Sequence, residues 1–210
     1  MQTAFPETRE ESVADWPLGR RNHALAQLYC ACFGPGLKAW VECRQCGEKL
    51  EFEVDGNTLV ERGTEGGGAR TVSIDSRVFR LPTSRDLAGI AAVGDPSSAT
   101  ARLLDLCLVT DDAAERSHPW SEHDVEAIGA RLAAADPLAE ILLDLHCPLC
   151  DESFQETLDL SIFLWSELES RAKRLLLDVH TLASAYGWSE AEVLSLSPAR
   201  RNFYLEQVSA

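Results

Sequence analysis

Two cysteine-bearing stretches about a hundred residues apart, VECRQCGEKLEFEVD and LHCPLCDESFQETLD, align position for position and constrain this chain more than any other feature. Cys43 falls on Cys147, Cys46 on Cys150, Leu50 on Phe154 and Val54 on Leu158. A Cys-x-x-Cys pair on a tight turn offers two thiolates to one cation, and tetrahedral zinc takes four ligands. Gly47 follows the first pair, where such a turn commonly wants positive φ, and Asp151 stands at the equivalent place as a residue that tolerates it. Strand-like runs flank both pairs. The pattern therefore predicts two β-hairpin knuckles sharing one structural Zn2+, with Cys43, Cys46, Cys147 and Cys150 as ligands. Each copy supplies half of the site.

Zinc ribbons often separate their cysteine pairs by roughly 15–20 residues. The far wider gap here makes the expected ribbon a clamp that ties together the two ends of a large insertion. Loop closure costs free energy only logarithmically with length, and a structural zinc, at roughly 10–16 kcal/mol of apparent binding energy, offsets it. The rival reading is a pair of redox motifs, yet neither segment sits at a strand-to-helix junction as a thioredoxin-like motif would. His146 is an alternative ligand. Cys30 and Cys32 read as core and boundary residues of a helix, Cys107 as a buried thiol, and His118 and His123 as surface or capping residues.

The fold class expected is α+β: a split zinc ribbon of roughly residues 36–58 and 138–160, a mixed insertion at about 59–137, and a helical C-terminal region. Residues 1–16 read as a flexible tail, 17–160 as the ribbon body and 161–210 as the helical region. A helix is expected over 17–33, stopped at Gly34-Pro35-Gly36. The glycine-rich polar stretch 55–70 reads as a mobile loop, and TVSIDSRVFRLP as a strand or hairpin edge. Thr83 with Asp86 and Ser121 with Asp124 have the spacing of capping boxes, with Trp120 placed to staple onto Val125. Leu164, Leu168, Ala172, Leu175, Val179, Leu182 and Tyr186 line one face of a long helix that Gly187 ends. Two short helices are then expected, capped at Ser189 and at Ser197-Pro198.

With 210 residues, 45% of them hydrophobic and 25% charged, the composition is that of a soluble globular protein. No apolar run is long enough to span a bilayer, and the acidic start MQTAFPETREESVADW lacks the pattern of a secretory signal, so a cytoplasmic location is expected. The net charge of −15 disfavours nucleic acid and anionic membranes as partners. From Ser161 onward, five basic residues against six acidic ones leave the tail near neutral. No nucleophile elbow, zinc-protease motif or phosphate loop is present, and a four-thiolate metal has no open position for a reactant. No catalytic residues are assigned, and a non-enzymatic protein is expected.

The end of the chain, HTLASAYGWSEAEVLSLSPARRNFYLEQV, admits three readings. It can be a helical hairpin packed on the body, a helix-turn-helix presenting Arg200 and Arg201 to DNA, or a docking surface anchored by Trp188, Phe203 and Tyr204. Arg200 and Arg201 would flank the aromatic anchors in the docking reading.

From about Leu28 to Val208, apart from the glycine-rich stretch, the order of features resembles the T-even phage baseplate hub assembly chaperone family, which also occurs in phage-like contractile injection systems. The matching pieces are CRQCGEKLEFEV, FRLPTSRDLAGIAA, HCPLC and FLWSELESRAKRLLLDVHTLASAYGWSEAEVLSLSPARRNFYLEQV. Many relatives have Cys-Pro at the first pair; this chain has Cys43-Arg44 and keeps Pro148 in the second. The resemblance implies a helper that binds hub or spike proteins before they enter the particle. Its rivals are a permanent baseplate component, a nucleic-acid-binding zinc-ribbon regulator with a basic face around Arg171, Arg174, Arg200 and Arg201, and a dithiol redox enzyme.

Overall fold

A computed structural model of the chain describes residues 12–65, 70–110 and 119–209. Residues 1–11, the Gly66–Ala69 part of the glycine-rich stretch and His118 lie outside them. The protein is a mixed α+β structure of eight α-helices and three two-stranded antiparallel sheets among the described residues. It divides into two compact units, Met1–Leu160 and Ser161–Ala210.

The first unit opens with a 3-10 turn at Val13–Asp15, followed by α1 (Leu18–Phe33). Trp16 is buried beneath the Arg20 guanidinium, 4.0 Å from its ring, and Asp15 pairs with Arg85 at 2.6 Å. The flexible tail expected through residue 16 therefore ends earlier, because Val13–Trp16 are seated on the unit. Gly34, at φ 88°, ends α1 and the chain turns into β1 (Gly36–Glu42) and β2 (Lys49–Asp55). The second hairpin of this kind is β5 (Leu142–His146) with β6 (Ser153–Thr157).

Between these hairpins lie α2 (Gly56–Glu65), β3 (Thr71–Ile74), β4 (Arg77–Arg80), α3 (Ser84–Ile90), α4 (Pro96–Cys107) and α5 (Glu122–Ala135). The helix α2 corrects the loop expected over 55–70. Asp55 accepts a hydrogen bond from the Asn57 amide, Leu59 is buried, and Gly56 lets the chain pass Cys30 and Leu37 at distances that a Cβ would not allow. Tertiary contact thus overrides a glycine-rich, polar local composition.

The insertion has a hydrophobic core of its own. Phe79, Leu81, Leu104, Cys107, Leu108, Ile128 and Leu132 are buried together, with Trp120 and Val125 packed against them. Trp120 meets Phe79 at 5.9 Å and donates from Nε1 to Asp105 at 2.8 Å, so its one polar atom is satisfied. Burial pushes the Cys107 thiol up to about 11, which leaves it neutral and inert. The Thr83–Asp86 and Ser121–Asp124 capping boxes are both formed. Asp86 is buried and also takes both ends of the Arg80 fork, at 2.6 and 2.7 Å. Burial raises its pKa, but Arg80 and Thr83 together hold it below the usual carboxylate range. Contacts from α1 tie in the insertion and the segment that follows it: Leu18 N donates to Pro82 O at 3.0 Å, and Asn22 Nδ2 to Leu138 O at 2.7 Å.

The second unit consists of α6 (Leu160–Tyr186), α7 (Glu190–Ser195) and α8 (Pro198–Ser209). Gly187, at φ 69°, caps α6, and a Ser189–Glu192 capping box starts α7. Val193 and Leu182 are fully buried, and the aromatic rings of Tyr186, Trp188 and Tyr204 pack against one another.

Candidate metal centre

Each knuckle begins where a strand delivers a cysteine. Cys43 N donates to Glu48 O at 2.8 Å and Gly47 N to Cys43 O at 2.9 Å. At the second copy Cys147 N donates to Glu152 O at 2.8 Å and Asp151 N to Cys147 O at 2.9 Å. The turn needs a left-handed residue at its end, and it has one in both copies: Gly47 at φ 76° and Asp151 at φ 64°. The hairpin registers agree as well, with Glu42 opposite Lys49 and His146 opposite Ser153 at corresponding places. Two segments far apart in sequence therefore build the same device.

The two knuckles meet. Cys43 Sγ lies 3.6 Å from Cys150 Sγ, and Cys46 Sγ lies 3.7 Å from Cys147 Sγ. All four sulfurs are within 4.8 Å of one another. A disulfide would need about 2.05 Å, so these are free thiols. Four thiolates bound at about 2.3 Å to a tetrahedral metal stand about 3.8 Å apart, close to the spacings found. Cys43 and Cys147 are buried, Cys150 is half-buried and Cys46 is on the open side.

The electrostatics of the cluster favour a cation. The Cys46 amide, which donates to the Cys43 sulfur, leads the effects that bring Cys43 down to about 7. The Glu152 amide favours a Cys150 thiolate, but burial and the three neighbouring thiols together drive Cys150 up to about 12. Cys46 is raised as well: the Glu48 amide favours its thiolate, but burial and the thiols of Cys147 and Cys43 outweigh it. The Cys43 thiol ionises readily while the ionisation of Cys46 and Cys150 is resisted, a conflict that a divalent cation removes by stabilising their thiolates together. The donor set fits a metal, and a metal closed off by four sulfurs holds structure rather than activating a reactant.

His146 is outside the cluster. It lies 3.1 Å from the Asp151 carboxylate through Nε2 and 3.2 Å from Ser153 Oγ through Nδ1, so it braces the second turn. A contact that sequence reasoning did not foresee joins the two copies directly: Arg44 Nη2 pairs with Glu156 Oε2 at 2.9 Å. Neither residue carries a pattern that points to the other.

The five residues named for partner binding have different fates within their own unit. Trp188 is half-buried, stacked on Tyr186 at 4.8 Å and met edge-on by Tyr204 at 4.9 Å. Tyr204 is likewise half-buried. Arg201 turns inward, its side chain 15% exposed and its Nε 3.4 Å from Asp178, which corrects its expected place on a binding surface. Phe203 and Arg200 are exposed. A further apolar surface lies on α6, at residues the sequence reading mostly did not single out: Trp165 and Leu176 are 70% and 62% exposed, and Ile162 and Leu168, the last a member of the expected stripe, are exposed as well.

Comparison with known protein families, with curated proteins and with solved structures finds no match. Among the described residues no helix is long and apolar enough to cross a membrane.

Proposed function

We propose that the protein is a non-enzymatic assembly factor whose body is a split zinc ribbon and whose helical C-terminal unit captures a protein partner. The metal is zinc, held by Cys43, Cys46, Cys147 and Cys150; four thiolates in tetrahedral array suit zinc or iron, and the two differ in colour. Zinc in this place keeps two short hairpins folded and does no chemistry on a substrate.

The observation that carries the docking role is the exposed apolar face of α6. Trp165, Leu168, Ala172 and Leu176 recur at i, i+3, i+7 and i+11, so they share one side of the helix, and all four are exposed. Trp is enriched at binding hot spots, and an exposed apolar stripe that carries one marks an interaction surface. The resemblance of the chain directs the choice of partner to a hub or spike protein of a contractile tail or injection system. Nucleic acid fits less well, because Arg171, Lys173, Arg174 and Arg201 each pair with an acidic residue of their own unit.

The test is affinity purification of the tagged chain from its producing cell, with mass spectrometry of both the soluble complex and the sedimented particles. Hub or spike subunits in the soluble complex, lost in a Trp165→Asp variant and with the bait missing from particles, support the assembly role. Bait retained in particles makes it a permanent component, and recovery of nucleic acid alone overturns the reading.

A further inference from the structure

Away from the cysteines, the first unit holds a concave site of about 300 Å³ between the start of α1, the end of α2, the entry to β3 and the turn before β5. Four nitrogen-bearing side chains line it: Arg20 and His23 from α1, Arg62 from α2 and Arg70 just before β3. Among the described residues the one carboxylate in its wall is Asp136, which is committed to the start of α1, where it accepts from Gly19 N at 2.9 Å. In a chain of net charge −15 this is a local reversal of sign.

Two of these groups lack partners among the described residues. His23 Nε2 is buried without a hydrogen bond, and Arg62 makes no ion pair. Buried polar atoms are rarely left unpaired in a folded protein, and His23 belongs to the wall of the cleft, so a small turn of its ring would bring Nε2 to a ligand seated there. The close fit of α2 on α1 is built for this ring: a Cβ at Gly63 would overlap His23. Arg20 is ordered by stacking on Trp16.

We propose that this cleft binds a small oxyanion ligand, phosphate-bearing or polycarboxylate, gripped by Arg62 together with Arg20 and Arg70 and bonded by His23 Nε2. Guanidinium forks match phosphate and carboxylate oxygens in pairs, and the volume is at the small-molecule end of ligand sites.

The experiment is calorimetric titration of the full chain with pyrophosphate and with citrate at fixed ionic strength, alongside the imidazole nitrogen signals of His23 by NMR. Saturable binding of one of the two, with a shifted His23 Nε2 signal, is expected, and the tighter probe identifies which oxyanion the cleft takes. Arg62 is exposed, so Arg62→Gln is expected to keep the melting temperature and weaken binding at least tenfold, whereas Arg102→Gln on α4 leaves it unchanged. Gly63→Ala, which displaces the His23 ring, is expected to weaken binding too. Binding of neither probe, or equal losses in Arg62→Gln and Arg102→Gln, would overturn the proposal by reducing it to diffuse charge attraction.

Discussion

The two cysteine hairpins and the insertion between them are held together by different means. In the four strands of the hairpins only Leu37 is buried; the others alternate between half-buried and exposed. The insertion packs Phe79, Leu104, Ile128 and Leu132 into a continuous apolar core. Two-stranded hairpins of five and seven residues are marginal in water without a core beneath them. Here the thiolates replace that core, and so the same short device can recur at both ends of an insertion that is stable by ordinary packing. A staple and a core are thereby separable parts of one unit.

The largest way to break the contrast is to remove the staple. Cys147→Ser, or a chelator acting on the unaltered chain, forfeits a binding energy of about 10–16 kcal/mol for a structural zinc. Hydrogen exchange measured by mass spectrometry is expected to show amides of β1, β2, β5 and β6 losing protection while those of α4 and α5 keep theirs. Uniform loss across both regions would mean that the insertion depends on the metal as well.

The reverse experiment is Phe79→Ala. Emptying a fully buried aromatic site costs about 3–5 kcal/mol, with a fall in the urea midpoint. Metal content is expected to stay at its unaltered value, since Phe79 touches neither knuckle. Loss of metal in this variant would join the two regions that the contrast separates.

Smaller changes compare the two knuckles with each other. Nothing lies near a Cβ built on Gly47, so Gly47→Ala meets only backbone strain, about 1–2 kcal/mol, and is expected to lower the midpoint accordingly. Asp151→Gly places glycine in the same conformation and is expected to stay within about 1 kcal/mol of the original. Equal effects of the two substitutions would show that the turns are not equivalent after all. The smallest effect belongs to Arg44→Ala. Its pair with Glu156 is solvent-exposed and is expected to contribute well under about 1 kcal/mol, disappearing in high salt.

The sequence made the local devices readable and left the tertiary ones hidden. Gly47 and Asp151, the Thr83–Asp86 and Ser189–Glu192 boxes and Gly187 each declare a turn or a cap through chemistry confined to a few neighbouring residues. The helix α2 could not be read that way. Gly56 and Gly63 look like loop residues until Leu37, Cys30 and His23 are found pressed against them. Trp16, in an acidic and polar stretch, belongs to the packed unit because Arg20 covers it and Arg85 holds its neighbour. Arg201 shows the same limit from the other side: its partner Asp178 is a full helix away in sequence, so a residue that reads as surface charge is an internal tie. The cysteine cluster was legible because both halves carry the same spacing; its Arg44–Glu156 cross-link repeats nothing and was not.

The measurement to make first is native mass spectrometry of the purified full chain, with and without chelator, paired with alkylation of its thiols. One zinc per chain, with Cys43, Cys46, Cys147 and Cys150 protected until the chelator is added, is the expected result. A folded, metal-free chain whose four thiols alkylate freely at an unchanged melting temperature would contradict it.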